Sequence, residues 1–488
     1  MKVEQVDLRR CGELGPAGVA RHVRSLVPGV ESVREQVEAM VERVRRGGDA
    51  AVLELTSRYD LDGGRAQPLL VPPAALDRAI TGLPGELVAG LQVAIANVSE
   101  VAAAGVGGDR AVSLRQGHTV TVREVPVDSA AVYTPGGRAP YPSTAVMGVV
   151  TARAAGVLDV CVCAPPDRDG EIAPVVLGAC RLLGVERVYR MGGVQAIAAL
   201  AHGTESVAPV DVIVGPGNLY VQEAKRQLAN VAVGIDGVAG PSDLALVASA
   251  GADPRLAALD LLAQAEHGEA SLVVLLSAEE SLIEAVRAEM QALALDAPVT
   301  ADSSGAVFAP GAVFATVHCG STAEAVEIAE GIAPEHMELV GAEAEAHARR
   351  VRHAGCLFVG AGAGTAFGDY VAGSNHVLPT GGAARFASAL DAGCFRRRMA
   401  EVRIPPQAAA MLAAAGAPIA KAEGFRFHAA SMEARGAAPA VDLGPASALP
   451  AGQPAQASAA AAAEPKPGPA HPAGGPARAG EIGENRRR

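Results

Sequence analysis

Apolar positions change their period along this chain, and the changes divide it into regions. In the first hundred residues they recur at helical spacing. Val33, Val37, Met40, Val41 and Val44 share one face, and Gly47-Gly48 supplies a stop. A second helix is expected over Ala50–Tyr59, and Pro72-Pro73 breaks the chain before a helical stretch to about Ala104. From Val127 to Ala239 short apolar runs each lead into a turn: Ala130–Tyr133 into Pro135-Gly136-Gly137, Val160–Ala164 into Pro165-Pro166, Val188–Met191 into Gly192-Gly193, and Val212–Val214 into Gly215-Pro216-Gly217-Asn218. A helical segment follows each turn, and strand, turn, helix in repetition predicts a parallel α/β sheet. The pattern recurs further on. Leu244–Ala248, Leu272–Leu276 and Leu357–Val359 read as strands, while Pro254–Glu266, Ala278–Leu293, Ala323–Ile332 and Ala342–His353 read as helices. Such folds place ligands at the carboxyl ends of their strands. After Gly381 the chain reads as helical to about Arg435.

The fold class expected is therefore α/β, with two Rossmann-like parallel-sheet domains at 126–239 and 240–384. An N-terminal helical region, 1–125, is expected to pack with the second of them, and a C-terminal helical segment covers 385–436. The last stretch, 437–488, is dominated by Ala, Pro and Gly. It cannot bury enough apolar surface to offset its ordering entropy and is expected to be a disordered tail.

Composition narrows the function. The formal net charge of -12 argues against a nucleic-acid partner, which needs a basic surface. With no Trp and aromatics at 3%, the core must be aliphatic, as suits helices on parallel strands. No apolar run reaches the roughly 18 residues of a membrane helix, and residues 1–16 carry charges rather than a secretion signal. Seven scattered cysteines without a CxxC fit free thiols in a reducing cytoplasm. Cys161 and Cys163 lie in an apolar run and read as buried small hydrophobes.

The chemistry sits in a few short segments. Gly-rich turns at helix N-termini can face phosphate. None is a GxGxxG, but Tyr133, Gln195 and Asn218 recur at them, and nucleotide binding and plain turn geometry both account for them. Gln264 and His267 are three residues apart at a helix end and can face one ion; a structural His fits the same spacing. Glu335-His336 offers two bases of different pKa for two proton transfers, or two polar side chains on a solvated turn. Asp369 and His376 stand in a Gly-rich stretch, and Glu423 and His428 in the last helical segment. His22, His118, His202, His347 and His353 have no such company and read as ordinary.

Taken together, these segments resemble the histidinol dehydrogenase family from about Gly48 to about His428. The likeness is carried in order by GDAAVLELTSRYD, VYTPGG, YPSTAVMG, MGGVQAIAAL, VGPGNLYV, AGPSDLAL, LLAQAEHG, APEHMEL, GDYVAGSNHVLPT and EGFRFHA. The resemblance implies a cytoplasmic enzyme of histidine biosynthesis that oxidises L-histidinol through the aldehyde to L-histidine, using NAD twice. It implies zinc, one ion per subunit, on Gln264, His267, Asp369 and His428. NAD contacts fall on Tyr133, Gln195 and Asn218. Substrate contacts fall on Ser242, His336, His376 and Glu423 together with the metal ligands, and the acid–base pair on Glu335 and His336. Glu423 and His428 would come from the partner in a homodimer with shared active sites. Two stretches depart from the family: the long tail, and a looser Ala384–Ile404. Three other readings compete with this one: a relative acting on another small alcohol such as a sulfonated diol, a zinc hydrolase with Glu335 activating water, and a non-catalytic NAD-binding protein. Gln264, Glu423 and His428 disfavour the first, the Gly turns the second, and the intact Glu335-His336 pair the third.

Overall fold

A computed structural model describes residues 6–7, 14–27, 32–136, 139–268, 271–296 and 312–436. The tail expected at 437–488 lies outside the described residues. The chain divides into two compact units, one of residues up to 113 and 119–403, the other of 114–118 and those from 404 onward.

The first unit opens with β1 (Val6–Asp7), α1 (Gly15–Ser25), α2 (Arg34–Tyr59), α3 (Pro73–Gly82) and α4 (Gly85–Ala104). The stop expected at Gly47-Gly48 is a kink inside α2. Gly48 sits at φ +54, against the Glu205 carboxylate, where a side chain would be strained and crowded. Two strands follow, β2 (Arg110–Ser113) and β3 (Thr119–Pro126). The first α/β layer comprises β4 (Ser129–Tyr133), α5 (Pro142–Ala154), β5 (Asp159–Ala164), α6 (Pro174–Leu182), β6 (Val188–Arg190), α7 (Gly193–His202), β7 (Val212–Val214), α8 (Leu219–Leu228) and β8 (Gly234–Ile235). The second comprises β9 (Asp243–Ala248), α9 (Pro254–Ala265), β10 (Leu272–Ser277), α10 (Glu280–Asp296), β11 (Val313–His318), α11 (Thr322–Ile332), β12 (His336–Val340), α12 (Ala342–Glu345), β13 (Cys356–Val359) and α13 (Thr365–Tyr370). The unit ends with β14 (Arg396–Arg403).

The two layers share one plan. The first sheet runs β6-β5-β4-β7-β8 and the second β11-β10-β9-β12-β13, with β1 added beside β11; every pairing in both is parallel. Each places its first strand centrally and turns outward from it. Both faces are covered, so successive residues alternate between two apolar layers. Ala130 and Val132 pack with helices α3 to α6, and Ala131 and Tyr133 with α2, α7 and α8. Ala245 and Val247 face α1 and α11, and Leu244 and Leu246 face α9 and α10. Cys161 and Cys163 are buried, and burial pushes the Cys161 thiol up to about 12, as befits small core residues.

Several expectations need correction. The N-terminal helical region does not pack as a whole with the second layer. β1 and α1 pack there, while α2 packs chiefly on α7 and α8, α3 on α6, and α4 on α5. Helix α4 is also long and apolar enough by composition to cross a membrane, contrary to the reading that no run qualifies. Its buried Leu91, Ala94 and Val98 form one stripe at helical spacing, and Asn97 Nδ2 donates to the Val371 carbonyl at 2.7 Å. Helix Ala342–His353 shrinks to α12 and a short 3-10 turn. Residues Arg396–Arg403, expected to be helical, form β14 in an antiparallel sheet of order β14-β3-β2. Arg397, Arg398 and Arg403 are exposed, and Arg398 and Glu401 pair with Glu124 and Arg123, which hides the strand from an apolar-period reading. In the second unit, α14 (Pro406–Ala422) and α15 (Arg426–Gly436) pack on each other through Ala417, Ala420, Ala429 and Met432.

Candidate active site

A cavity of about 530 Å³ is walled by both α/β layers of the first unit. From the first layer come residues beyond the carboxyl ends of strands: Pro135 after β4, and Pro216, Gly217 and Asn218 after β7. The second layer contributes the opposite ends. Ser242 precedes β9, His267, Gly268 and Ser271 precede β10, and Glu335 and His336 open β12. The carboxyl-end expectation therefore holds for one layer only.

The second layer carries the titratable groups. Gln264 lies buried in the last turn of α9, and His267 follows that helix. The Gln264 amide donates through Nε2 to the Ser242 hydroxyl, and the Ser242 hydroxyl donates in turn to Glu335 Oε2. Its carbonyl oxygen Oε1 is buried without a hydrogen-bond partner. His267 Nε2 stands 3.8 Å from Asp369 Oδ2 on α13, and His336 Nε2 stands 3.7 Å from Asp369 Oδ1. His336 Nδ1 is 3.7 Å from Glu335 Oε2. His336 is only 2% exposed, yet both ring nitrogens lack a hydrogen-bond partner. Buried polar atoms are almost always satisfied, so orphaned ones mark where a ligand belongs. His376 accounts for both of its nitrogens, one 2.9 Å from the Asp369 carbonyl and the other 3.2 Å from the Thr144 hydroxyl.

The electrostatics follow from burial and pairing. Burial lifts the Glu335 carboxyl above its usual range, the neighbouring Asp243 carboxylate adds to this, and His336 and the Ser242 hydroxyl oppose it. Burial would lower the His336 imidazole, but the carboxylates of Glu335 and Asp369 outweigh it and leave the pKa raised. Burial acts to raise Asp369; its histidine neighbours, His336 foremost, outweigh this and bring it below the usual range. His376 is lowered by burial. Beneath the site, Glu338 on β12 meets Asp260 on α9, and burial, reinforced by that second carboxyl, pushes Glu338 up to about 9.

The first layer is built differently. Asn218 caps α8, its side chain accepting from the Val221 amide at 3.1 Å. The preceding turn needs Gly215, at φ +120 and pressed on the Tyr133 carbonyl. Asp236 accepts from the Gly215 amide at 2.7 Å, and Lys225 donates to the Gly215 carbonyl at 3.0 Å and pairs with Asp236. Both partners of that pair are buried. Tyr133 and Gln195 are buried too and do not line the cavity. The Tyr133 hydroxyl accepts from the Gly193 amide at 3.2 Å, and Gln195 Nε2 donates to Asp60 at 3.0 Å. Burial raises Asp60 to about 6.

Of the residues singled out from sequence, then, Ser242, Gln264, His267, Glu335, His336, Asp369 and His376 form one cluster, and Asn218 lies on the wall opposite. Glu423 follows α14 and His428 lies on α15, both exposed in the second unit. Sequence reasoning missed Asp243, Thr144, Asp60, Lys225 and Asp236. Asp243 and Thr144 sit inside matched segments, but nothing in their spacing marks them. Among the described residues, no group of three or more His, Cys, Asp or Glu is placed to hold a metal ion. One pair that does approach, His267 and Asp369, has the orphaned Gln264 oxygen in the same cluster. The imidazole and the carboxylate are donors that zinc takes, the amide oxygen is an unusual third, and the set leaves coordination incomplete.

Residues 27–436 match the family model described as histidinol dehydrogenase. The chain is 40% identical over 408 residues to a histidinol dehydrogenase of Gluconobacter oxydans, covering 83% of this chain and 93% of that protein. It is 38% identical over 422 residues to one of Pseudomonas syringae, covering 85% and 93%. A crystal structure of histidinol dehydrogenase from Elizabethkingia anophelis superposes with a TM-score of 0.79 at 28% identity, covering 85% of this chain and 95% of that one. The chain belongs to the histidinol dehydrogenase family and is an NAD-dependent oxidoreductase.

Proposed function

We propose that this protein oxidises L-histidinol to L-histidine in two successive steps, each reducing one NAD. The observation that carries the reading is the Gln264–Ser242–Glu335 hydrogen-bond chain, which ends beside a buried His336 with two unpartnered ring nitrogens. Zinc in each subunit would be held by Gln264, His267 and Asp369, with His428 of the partner subunit as the fourth ligand. Bound there, it would grip the substrate's imidazole and amino nitrogens. NAD would bind against the first layer beside Asn218, with the buried Tyr133 and Gln195 behind that wall, and would take up the hydride.

The chain's own residues manage protons and orientation. His336 accepts the alcohol proton in the first oxidation, and its raised basicity suits that task. Glu335 then takes a proton from the water that attacks the aldehyde. The Ser242 hydroxyl and the Asp243 amide hold its carboxylate, so the base is oriented before substrate arrives. Ser242, His376 and Glu423 of the partner subunit would complete the grip on the substrate. The exposed Glu423 and His428 favour a homodimer with shared sites, as do the exposed Ile419, Phe425 and Phe427 around them. The cytoplasm is the compartment we propose, since the described cysteines are all free.

The test is direct: purified protein, L-histidinol and NAD, with NADH followed by absorbance. NADH should form, and Glu335→Gln and His336→Asn should each lower kcat by about 10²–10⁴-fold. Absence of NADH rejects the substrate, and unaffected variants reject the role assignment. Mixing His428→Ala with His336→Asn should restore part of the activity if sites are shared. A mixture no more active than its parents rejects the dimer claim.

A further inference from the structure

We infer that Arg24 and Asp243 form a clamp that positions Glu335, an assignment that rests on the base role proposed above for that residue. Arg24 leaves the last turn of α1, a helix with no residue in the cavity wall. Its Nη1 donates to Asp243 Oδ2 at 2.6 Å, and Nη2 reaches Asp243 Oδ1 at 3.4 Å. Nε and Nη2 also donate to the Ile332 carbonyl at 2.9 and 2.7 Å, and Nη2 to the Ala333 carbonyl at 3.0 Å. These carbonyls end α11, where helix termini leave acceptors without partners. Ala333 caps that helix in the left-handed region, at φ 49, which a residue with a Cβ adopts reluctantly. Two residues later the chain delivers Glu335 to the cavity.

Asp243 completes the clamp. Its Oδ1 accepts from the Glu335 amide at 2.6 Å, and Oδ2 accepts from the Gly381 amide at 3.3 Å. Its own amide donates to Glu335 Oε2 at 3.1 Å. The Asp243 side chain thus fixes the Glu335 backbone, while the Asp243 backbone fixes the Glu335 side chain. Asp243 is only 2% exposed, and a buried carboxylate beside another needs a counter-charge. Arg24 is that charge. The planar fork of Arg matches the task, because it serves a carboxylate and two carbonyls at once, whereas a Lys ammonium offers no such spread. Helix α1 is held in place for this by close approach to α11, where Gly331 leaves no room for a Cβ beside Ala20.

The test uses the full-length, zinc-loaded protein with Arg24→Met and Arg24→Lys, assayed separately on the amino alcohol and on the amino aldehyde. Both variants should lose about 10²-fold in kcat for aldehyde oxidation, while KM for substrate and NAD changes by less than about threefold. Arg24→Lys keeps a positive charge near Asp243 and carries the test should Arg24→Met not fold. In a Glu335→Gln background, Arg24→Lys should cost less than about twofold more, because nothing remains to be positioned. A merely structural Arg24 would cost its full factor in both backgrounds. Full additivity, or an unchanged kcat in Arg24→Lys, overturns the clamp. If Glu335→Gln alone retains aldehyde oxidation, the base role fails first and takes the clamp with it, an outcome read without any Arg24 substitution.

Discussion

The two α/β layers have the same strand order yet present opposite ends to the cavity, and the difference sorts their chemistry. At the carboxyl end of a parallel strand a helix begins, so the first layer offers free amides and the positive end of a helix dipole. That suits phosphate, as at Asn218 on α8. At the amino end of a strand a helix has just finished, so the second layer offers carbonyls and a negative dipole end. That suits a cation, as at Gln264 in the last turn of α9 and His267 just beyond it. One supersecondary plan thus supplies an anion-facing wall and a cation-facing wall according to which end is turned inward.

The strongest test of this division is to remove the metal proposed at the cation-facing wall. A chelator should lower turnover by at least about 10³-fold, since positioning of the reactants is lost. NAD affinity, measured by titration calorimetry, should stay within about twofold because its wall lies in the other layer. A parallel loss of NAD binding would break the comparison. Next in size is Lys225→Met. It leaves Asp236 buried and unpaired beneath the Gly215–Asn218 turn and should destabilise the protein by about 3–5 kcal/mol in denaturant titration. Because Asp236 also holds the Gly215 amide, the surviving folded protein should show a raised KM for NAD with retained metal content. Loss of metal instead would mean that the layers are not separable in this way. Smaller again is Asn218→Ala, which removes the α8 cap and should cost about 1 kcal/mol, with Asn218→Asp close to neutral.

How much of this was legible in the sequence also differs between the layers. The first declared itself more fully, because β4, β5 and β7 are apolar runs leading into Gly or Pro turns, although Arg190 interrupts β6 and the two-residue β8 was not expected. Two strands of the second were not expected. In β12 (His336–Val340) the charged Glu338 interrupts the run, and the strand begins on a catalytic candidate rather than an apolar residue. β11 (Val313–His318) is an apolar run between Pro310-Gly311 and Gly320, the same kind of signal as in the first layer, and the sequence reading passed over it. For the site, Gln264 with His267 and Glu335 with His336 were visible because chain neighbours share a local geometry. Ser242 joins those pairs across 22 and 93 residues, and Arg24 reaches Asp243 across 219, so neither link leaves a periodic trace. The antiparallel β14 was missed because its Arg and Glu residues, most of them exposed, leave no apolar alternation.

The gentlest test compares two carboxyls that burial lifts in opposite layers, Asp60 at about 6 and Glu338 at about 9. For an acid whose folded pKa exceeds its unfolded value, the folded state keeps its proton while the unfolded state releases it. Stability therefore falls as pH rises through that window and is level outside it. The window runs from the ordinary 3.8 to about 6 for Asp60, and from 4.5 to about 9 for Glu338. Asp60→Asn should flatten the melting profile only between pH 4 and 6, and Glu338→Gln only across the higher window, each by about 2–4 °C. The Gln amide can donate to Asp260 as the protonated Glu338 does, so Glu338→Gln tests the charge with little change of shape. At pH 8 it should raise the melting temperature, and at pH 4 leave it unchanged. A melting temperature lowered at both values would show that the ionised carboxylate, not the protonated acid, is what β12 and α9 hold between them beneath the cation-facing wall.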